Sequence, residues 1–204
     1  MPKKAGARPR KLPSQVRSRE MFEGILDAAA RVFIDLGYAG ATTNKIADAA
    51  KISVGSLYQY FPSKEALAVE LLRRYRAKVL AVVGAQLGRV EERGLESVIR
   101  ELVDALLRAD GIDPALQRVL IEQVLRTGAR AEVLGFEERL EEVVAEQLRA
   151  AKTGVAERDL KVAAFLVVRV VLAVVHAVRV DRSELDTARL RDHVTRLIVR
   201  YLAP

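Results

Sequence analysis

The sequence predicts an all-α fold, and three observations carry that reading. Apolar residues recur at three- and four-residue spacing through most of the chain, as in Phe22, Ile25, Leu26, Ala29, Val32, Phe33 and Leu36, which gathers them on one helical face. No alternating strand pattern of any length interrupts this periodicity. Residues that start or stop helices stand between the periodic runs, among them Gly37, Ser53, Pro62, Ser63, Gly111, Pro114 and Gly154. About nine helices result, and no internal repeat is visible.

Residues 1–17 mix Lys, Arg, Pro and Gly without periodicity and read as a flexible basic arm. The first helix is expected from about Ser18 to Leu36, closed by Gly37. A short amphipathic run, Asn44 to Ala50, places Ile46, Ala47 and Ala50 on one face. A break follows at Lys51-Ile52, and Ser53 can then cap a second short helix, Val54 to Tyr60, by accepting from the N–H of Gly55 or Ser56. Pro62 disfavours helical geometry at Phe61 and so ends that helix early. Ser63 caps the next helix, which begins Lys64-Glu65-Ala66-Leu67. Two short helices joined by a tight turn make a helix-turn-helix, whose second helix is small and polar enough at Gly55, Ser56, Gln59 and Tyr60 to enter a DNA major groove.

The helix from Lys64 carries Leu67, Leu71, Tyr75, Val79, Val83 and Leu87 on one stripe, long enough to link a head to a body. Leu95, Val98, Ile99, Leu102, Val103 and Leu106 form the next face. Pro114 opens another helix through Leu116, Val119, Leu120, Gln123 and Val124. Phe136, Leu140, Val143, Val144 and Leu148 follow, ending near Gly154. Val162 to Val180 is apolar nearly all round. Its length approaches a membrane span, but Arg169 and His176 inside it are costly in lipid. It is therefore expected to be buried on every side, by its own core and by a second subunit. Leu190, Val194, Leu197, Ile198 and Tyr201 make the last stripe.

Composition narrows the function classes. Half of the 204 residues are hydrophobic, enough for a sizeable core. Cysteine is absent, which removes disulfides, thiolate chemistry and Cys-based metal sites. With no Ser-His-Asp arrangement in recognisable context and no Gly-rich phosphate loop, an enzyme is not expected. His176 and His193 are the only histidines, and no carboxylate cluster is spaced to join them, so neither metal nor cofactor is expected. The basic N-terminus has no apolar segment behind it, pointing to a cytoplasmic protein. Residues 1–62 hold ten Lys/Arg against five Asp/Glu of a chain whose net charge is +7. The positive excess thus sits with the helix-turn-helix and its arm, as a surface facing phosphates requires.

Residues 25–67, ILDAAARVFIDLGYAGATTNKIADAAKISVGSLYQYFPSKEAL, closely resemble the DNA-binding region of TetR/AcrR-family transcriptional regulators. The specific elements are FxxxGY at Phe33 to Tyr38, Thr42-Thr43, Ile46-Ala47, and Ser53-x-Gly55-Ser56-Leu57-Tyr58-x-Tyr60-Phe61-x-Ser63-Lys64-Glu65. One departure is Lys51, where the family often has Gly; a left-handed backbone there costs other residue types roughly 1 kcal/mol.

The resemblance implies Thr42, Thr43, Tyr58, Tyr60 and Lys64 as phosphate contacts, with Lys45 and Ser53 beside them. Asn44, Val54, Gly55, Ser56 and Gln59 are candidates for base edges, because Asn and Gln pair bidentately with adenine and Gly55 permits close approach. Helix capping by Thr42 and Ser53 is compatible with these roles, whereas core packing competes for Tyr58 and Tyr60. The family also implies a homodimer whose last two helices form a four-helix interface, here Leu172, Leu190, Val194, Leu197, Ile198 and Tyr201. It implies as well an apolar effector cavity between the long linking helix and the helices after it. Arg169 and His176, seven residues apart on one face, have three open placements: that cavity, the dimer interface, or a salt bridge to the acidic helix bearing Glu137, Glu138, Glu141, Glu142 and Glu146.

The expected organisation is a basic arm (1–17), a helix-turn-helix DNA-binding domain (18–78, motif about 43–62) and a helical ligand-binding and dimerisation domain (79–204). The expected partners are double-stranded DNA with a palindromic operator, a second copy of the chain and a small, mostly apolar effector, with no membrane. The reading is a ligand-responsive repressor. A regulator without inducer, an activator, and a helical membrane-surface protein are the alternatives.

Overall fold

A computed structural model describes residues 16–108, 116, 120, 130–151, 153–180 and 184–203. The helices are α1 (Val16–Gly40), α2 (Thr43–Ala49), α3 (Val54–Tyr60), α4 (Lys64–Leu87), α5 (Val90–Arg93), α6 (Leu95–Arg108), α7 (Arg130–Ala150), α8 (Leu160–Val180) and α9 (Thr187–Leu202), with a 3-10 turn at Glu157–Asp159. No strand occurs among the described residues. The chain divides into two compact units, Met1–Tyr75 with Ile112–Ala131 and Arg76–Gly111 with Glu132–Pro204.

In the first unit the apolar stripe of α1 closes over the two motif helices. Ile25, Leu26 and Phe33 are buried with Ile46, Ala47, Leu57 and Phe61. The Phe22 ring packs 4.8 Å from that of Phe61 and 6.4 Å edge-on from that of Tyr60. Gly37, with φ of 66°, breaks α1 where the sequence stops it, since a side chain resists that left-handed geometry. One further helical turn then runs to Gly40. Leu36 departs from the expected stripe: lying at this break, it is 47% exposed.

The second unit is a bundle in which α9 lies against α6 and α8, and α6 against α5 and α8. Its core takes Val79, Val83 and Leu87 from α4, Val98, Ile99 and Leu102 from α6, Leu140 and Val144 from α7, and Val167, Val171 and Val175 from α8. Arg100 ties α6 to α9 through Asp192 at 2.6 Å, and Arg191 reaches Asp104 at 3.3 Å.

Within the single chain α8 buries Ala163, Ala164, Val167 and Val168 and leaves Val162, Phe165 and Leu166 exposed. Two expectations change here. α7 ends at Ala150, earlier than Gly154. The last stripe also splits, because a helix in a bundle turns only part of its circumference inward. Val194 and Ile198 are buried in the unit's own core, Leu190 is half-buried, and Leu197 and Tyr201 are exposed. The helix expected from Pro114 to Val124 lies outside the described residues except for Leu116 and Leu120, both buried. By length and composition one described helix, Glu157–Val178, could cross a membrane, but its inward face packs in the bundle and its Arg169 is ion-paired.

Candidate nucleic-acid interface

The motif is locked by three side-chain caps and one turn. Thr42 Oγ1 accepts from Lys45 N–H at 3.3 Å, Ser53 Oγ from Ser56 N–H at 3.0 Å, and Ser63 Oγ from Ala66 N–H at 3.3 Å. Each satisfies a donor that the first turn of its helix leaves without a partner. After α2 the Ile52 N–H donates to Ala47 O and the Lys51 N–H to Asp48 O, both at 3.0 Å. That pair of bonds is a Schellman closure, which needs a left-handed residue at Lys51; its φ is 56°. Lys51 is the only non-glycine residue with positive φ among those described, so the turn keeps its geometry and bears the strain.

With Leu57 and Phe61 fully buried, α3 turns its other face outward. Gly55, Tyr58 and Gln59 are exposed, and Val54, Ser56 and Tyr60 are half-buried. Beside it stand Thr42, Asn44 and Lys45, exposed, and Thr43, half-buried. A Cβ at Gly55 would meet only Ser53 Oγ, at 3.8 Å. The fold itself therefore does not require glycine there; what glycine supplies is clearance on the outer surface.

The polar groups differ in how free they are. The Tyr58 hydroxyl lies 3.1 Å from Thr43 Oγ1, joining the two motif helices. The Tyr60 hydroxyl lies 3.3 Å from Ser18 Oγ and its ring packs on Phe22, so Tyr60 serves packing as well as the surface. Ser56 Oγ lies 2.8 Å from Ser53 Oγ, which draws that hydroxyl into the cap. Lys45 Nζ donates to Gly40 O at 2.9 Å. Lys64 Nζ donates to Tyr38 O at 2.8 Å and Ala41 O at 3.1 Å, and sits 4.3 Å over the Tyr38 ring.

These lysine contacts escaped the sequence reading. The carbonyls held by Lys64 are 23 and 26 residues away, and no local pattern encodes them. Around the same corner, burial and then the charge of Glu65 push the Tyr38 phenol far above its ordinary value. Burial also pushes the Glu65 carboxyl up, but its own backbone N–H, the Ser63 hydroxyl and the Lys64 charge outweigh this and hold it below the usual range.

In the second unit Arg169 takes the salt-bridge placement. Its guanidinium pairs with Glu137 and, at 3.3 Å, with Glu141, and lies 5.1 Å from the Phe165 ring centre. Among the described residues two apolar crevices lie in this unit, and neither Arg169 nor His176 lines them. For Arg169 the ion pairs with Glu137 and Glu141 occupy the guanidinium instead. Among the described residues no group of three or more His, Cys, Asp or Glu could hold a metal ion.

Comparison with known proteins places this geometry in a family. The family model described as "Bacterial regulatory proteins, tetR family" matches residues 25–71, and that described as "Tetracyclin repressor-like, C-terminal domain" matches residues 94–202. The chain is 33% identical over 123 residues to the A-factor receptor protein of Streptomyces griseus, covering 57% of this chain and 41% of that one. It is 32% identical over 122 residues to the HTH-type transcriptional repressor AcnR of Corynebacterium glutamicum, covering 59% and 60%. The aligned stretch is thus less than two thirds of either relative. A TetR-family transcriptional regulator from Mesorhizobium loti has the same fold, with a TM-score of 0.77 at 23% identity over 92% of this chain and 98% of that one. With one family model covering the helix-turn-helix and the other more than half of the chain, this protein belongs to the TetR family of bacterial regulatory proteins.

Proposed function

We propose that the chain is a cytoplasmic, homodimeric transcriptional repressor that places α3 in the DNA major groove of a palindromic operator and lets go when a small apolar effector binds its second unit. The observation that carries the DNA reading is α3 itself, a capped helix pinned by Leu57 and Phe61 whose outward Gly55 has no internal reason to be glycine. Gln59 and Asn44 supply side chains suited to adenine edges. Thr42, Thr43 and Tyr58 supply donors for phosphates, and Ser53, Val54, Ser56 and Tyr60 frame that surface. The exposed Leu197 and Tyr201 on α9, with Val162, Phe165 and Leu166 on α8 and half-buried Leu172, support a partner subunit. A two-fold dimer would set its recognition helices about 34–36 Å apart, one groove turn. The relatives named as repressors support the regulatory sense.

The test is binding to the DNA upstream of the protein's own gene, measured across salt concentrations. Tyr58→Phe weakens every sequence alike, whereas Gln59→Ala shifts preference at single base pairs by about 1–3 kcal/mol. Gly55→Leu abolishes binding while the protein still melts normally. Failure of the unmodified protein to bind that DNA, or equal losses from all three variants on all sequences, overturns the assignment.

A further inference from the structure

The hydroxyls of Ser18 and Tyr60 lie 3.3 Å apart, and the Phe22 ring packs edge-on against that of Tyr60. These contacts seat the first turn of α1 beside the last residue of α3. With seven residues, α3 is about 10 Å long, less than the roughly 12 Å width of a major groove. When its outward face enters that groove, Ser18 therefore stands at the groove's edge, by the sugar-phosphate backbone. Residues 1–15 precede this point in the chain. They carry Lys3, Lys4, Arg8, Arg10 and Lys11, and no acid stands before Glu20. A segment of that charge, tethered beside the backbone, is held at high local concentration next to phosphates.

Its composition suits the groove on the other side of that backbone. The minor groove is about 6 Å wide, too narrow for a helix, and Pro9 and Pro13 disfavour helix in this stretch. Ala5, Gly6 and Ala7 add little bulk. Pro9 holds Arg8 extended, and in extended backbone Arg8 and Arg10 point to the same side. Guanidinium groups are weakly hydrated and enter the narrow, strongly negative minor groove of A·T tracts readily. Arg10 lies six residues ahead of Val16, where α1 begins, a reach of about 20 Å when extended, enough to cross one backbone. Of residues 1–15 only Met1 and Leu12 are large and apolar, too few to hold a lipid surface. We infer that residues 3–11 occupy the minor groove beside each half-site, with Arg8 and Arg10 inserted and the lysines on flanking phosphates. The protein then selects A·T-rich flanks that α3 never touches. This rests on the reading of α3 as the recognition helix.

The test uses the full chain and the site it protects in the DNA upstream of its gene, with the base pairs flanking each half-site made all A·T or all G·C. The unmodified protein should bind the A·T-flanked duplex about fivefold more tightly or better, and shield its flanking minor groove from hydroxyl radicals. Arg8→Ala with Arg10→Ala should erase both the preference and the flanking protection, and lower the salt slope by about 2. The same variant should keep its melting temperature and the base preferences that depend on Gln59. Lys3→Ala with Lys4→Ala, which removes equal charge, should lower the slope alike yet keep the A·T preference. Equal affinity for both flanks, or a preference that survives in the arginine variant, overturns the inference while operator binding by α3 stands. Loss of the preference in both double variants makes the arm a nonspecific cation and overturns the minor-groove assignment as well. If the unmodified chain binds no DNA upstream of its gene, the regulator reading fails and this inference falls with it.

Discussion

The ammonium of Lys64 donates to the carbonyl of Tyr38 at 2.8 Å and lies 4.3 Å over that residue's ring. Through this contact, and a second to Ala41 O at 3.1 Å, the first residue of α4 ties down the corner between α1 and α2. Lys64→Ala is therefore expected to destabilise the first unit by about 2 kcal/mol, the scale of a hydrogen bond to a charged group. It should leave the salt dependence of DNA binding unchanged, because a lysine spent on carbonyls releases no counterion. Thermal melting and a salt titration of operator affinity check the two halves. A flattened salt slope with normal melting would return Lys64 to the phosphates.

Lys51 adopts a left-handed backbone that the closure of α2 imposes. Lys51→Gly should raise stability by about 1 kcal/mol, the penalty that a Cβ carries in that region. Lys51→Asn keeps the tolerance for positive φ while also removing the charge. Chemical denaturation of both variants reads the backbone effect, and a drop in DNA affinity common to both reads the lost cation.

Arg169 holds Glu137 and Glu141 together on the face of α7. Removing it leaves two half-buried carboxylates facing each other without a counterion, so Arg169→Met should cost about 1 kcal/mol. Adding Glu137→Gln should recover part of that loss, as a double-mutant cycle measures. Release of DNA by effector should persist in Arg169→Met. Loss of release with unchanged melting would put Arg169 in the effector site instead.

Leu197 and Ile198 are neighbours in sequence but face opposite surroundings, 57% and 1% exposed. Leu197→Glu should leave the folded chain intact and abolish dimerisation, and with it specific DNA binding. Ile198→Glu should unfold the second unit, since it drives an unpaired carboxylate into an apolar core. Sedimentation and circular dichroism separate the outcomes. A dimeric Leu197→Glu places the interface on another face.

The sequence by itself determined the helices, their punctuation and the helix-turn-helix. Those features depend on interactions within a few residues: the hydroxyls of Thr42, Ser53 and Ser63 beside their own helix starts, the ring of Pro62, and the unhindered φ of Gly37. The left-handed turn at Lys51 was suggested only through the resemblance, by the Gly that the family often has there, and the structure gives Lys51 a φ of 56°. Only the tertiary structure decided where the longer side chains go. Periodicity put Val194, Leu197, Ile198 and Tyr201 on one stripe, but which edge of it faces inward depended on how α9 packs against α6 and α8. The cations of Lys64 and Arg169 met groups many residues distant. A flexible charged side chain seeks whichever carbonyl or carboxylate the fold brings within reach, and that choice is made only once distant segments meet.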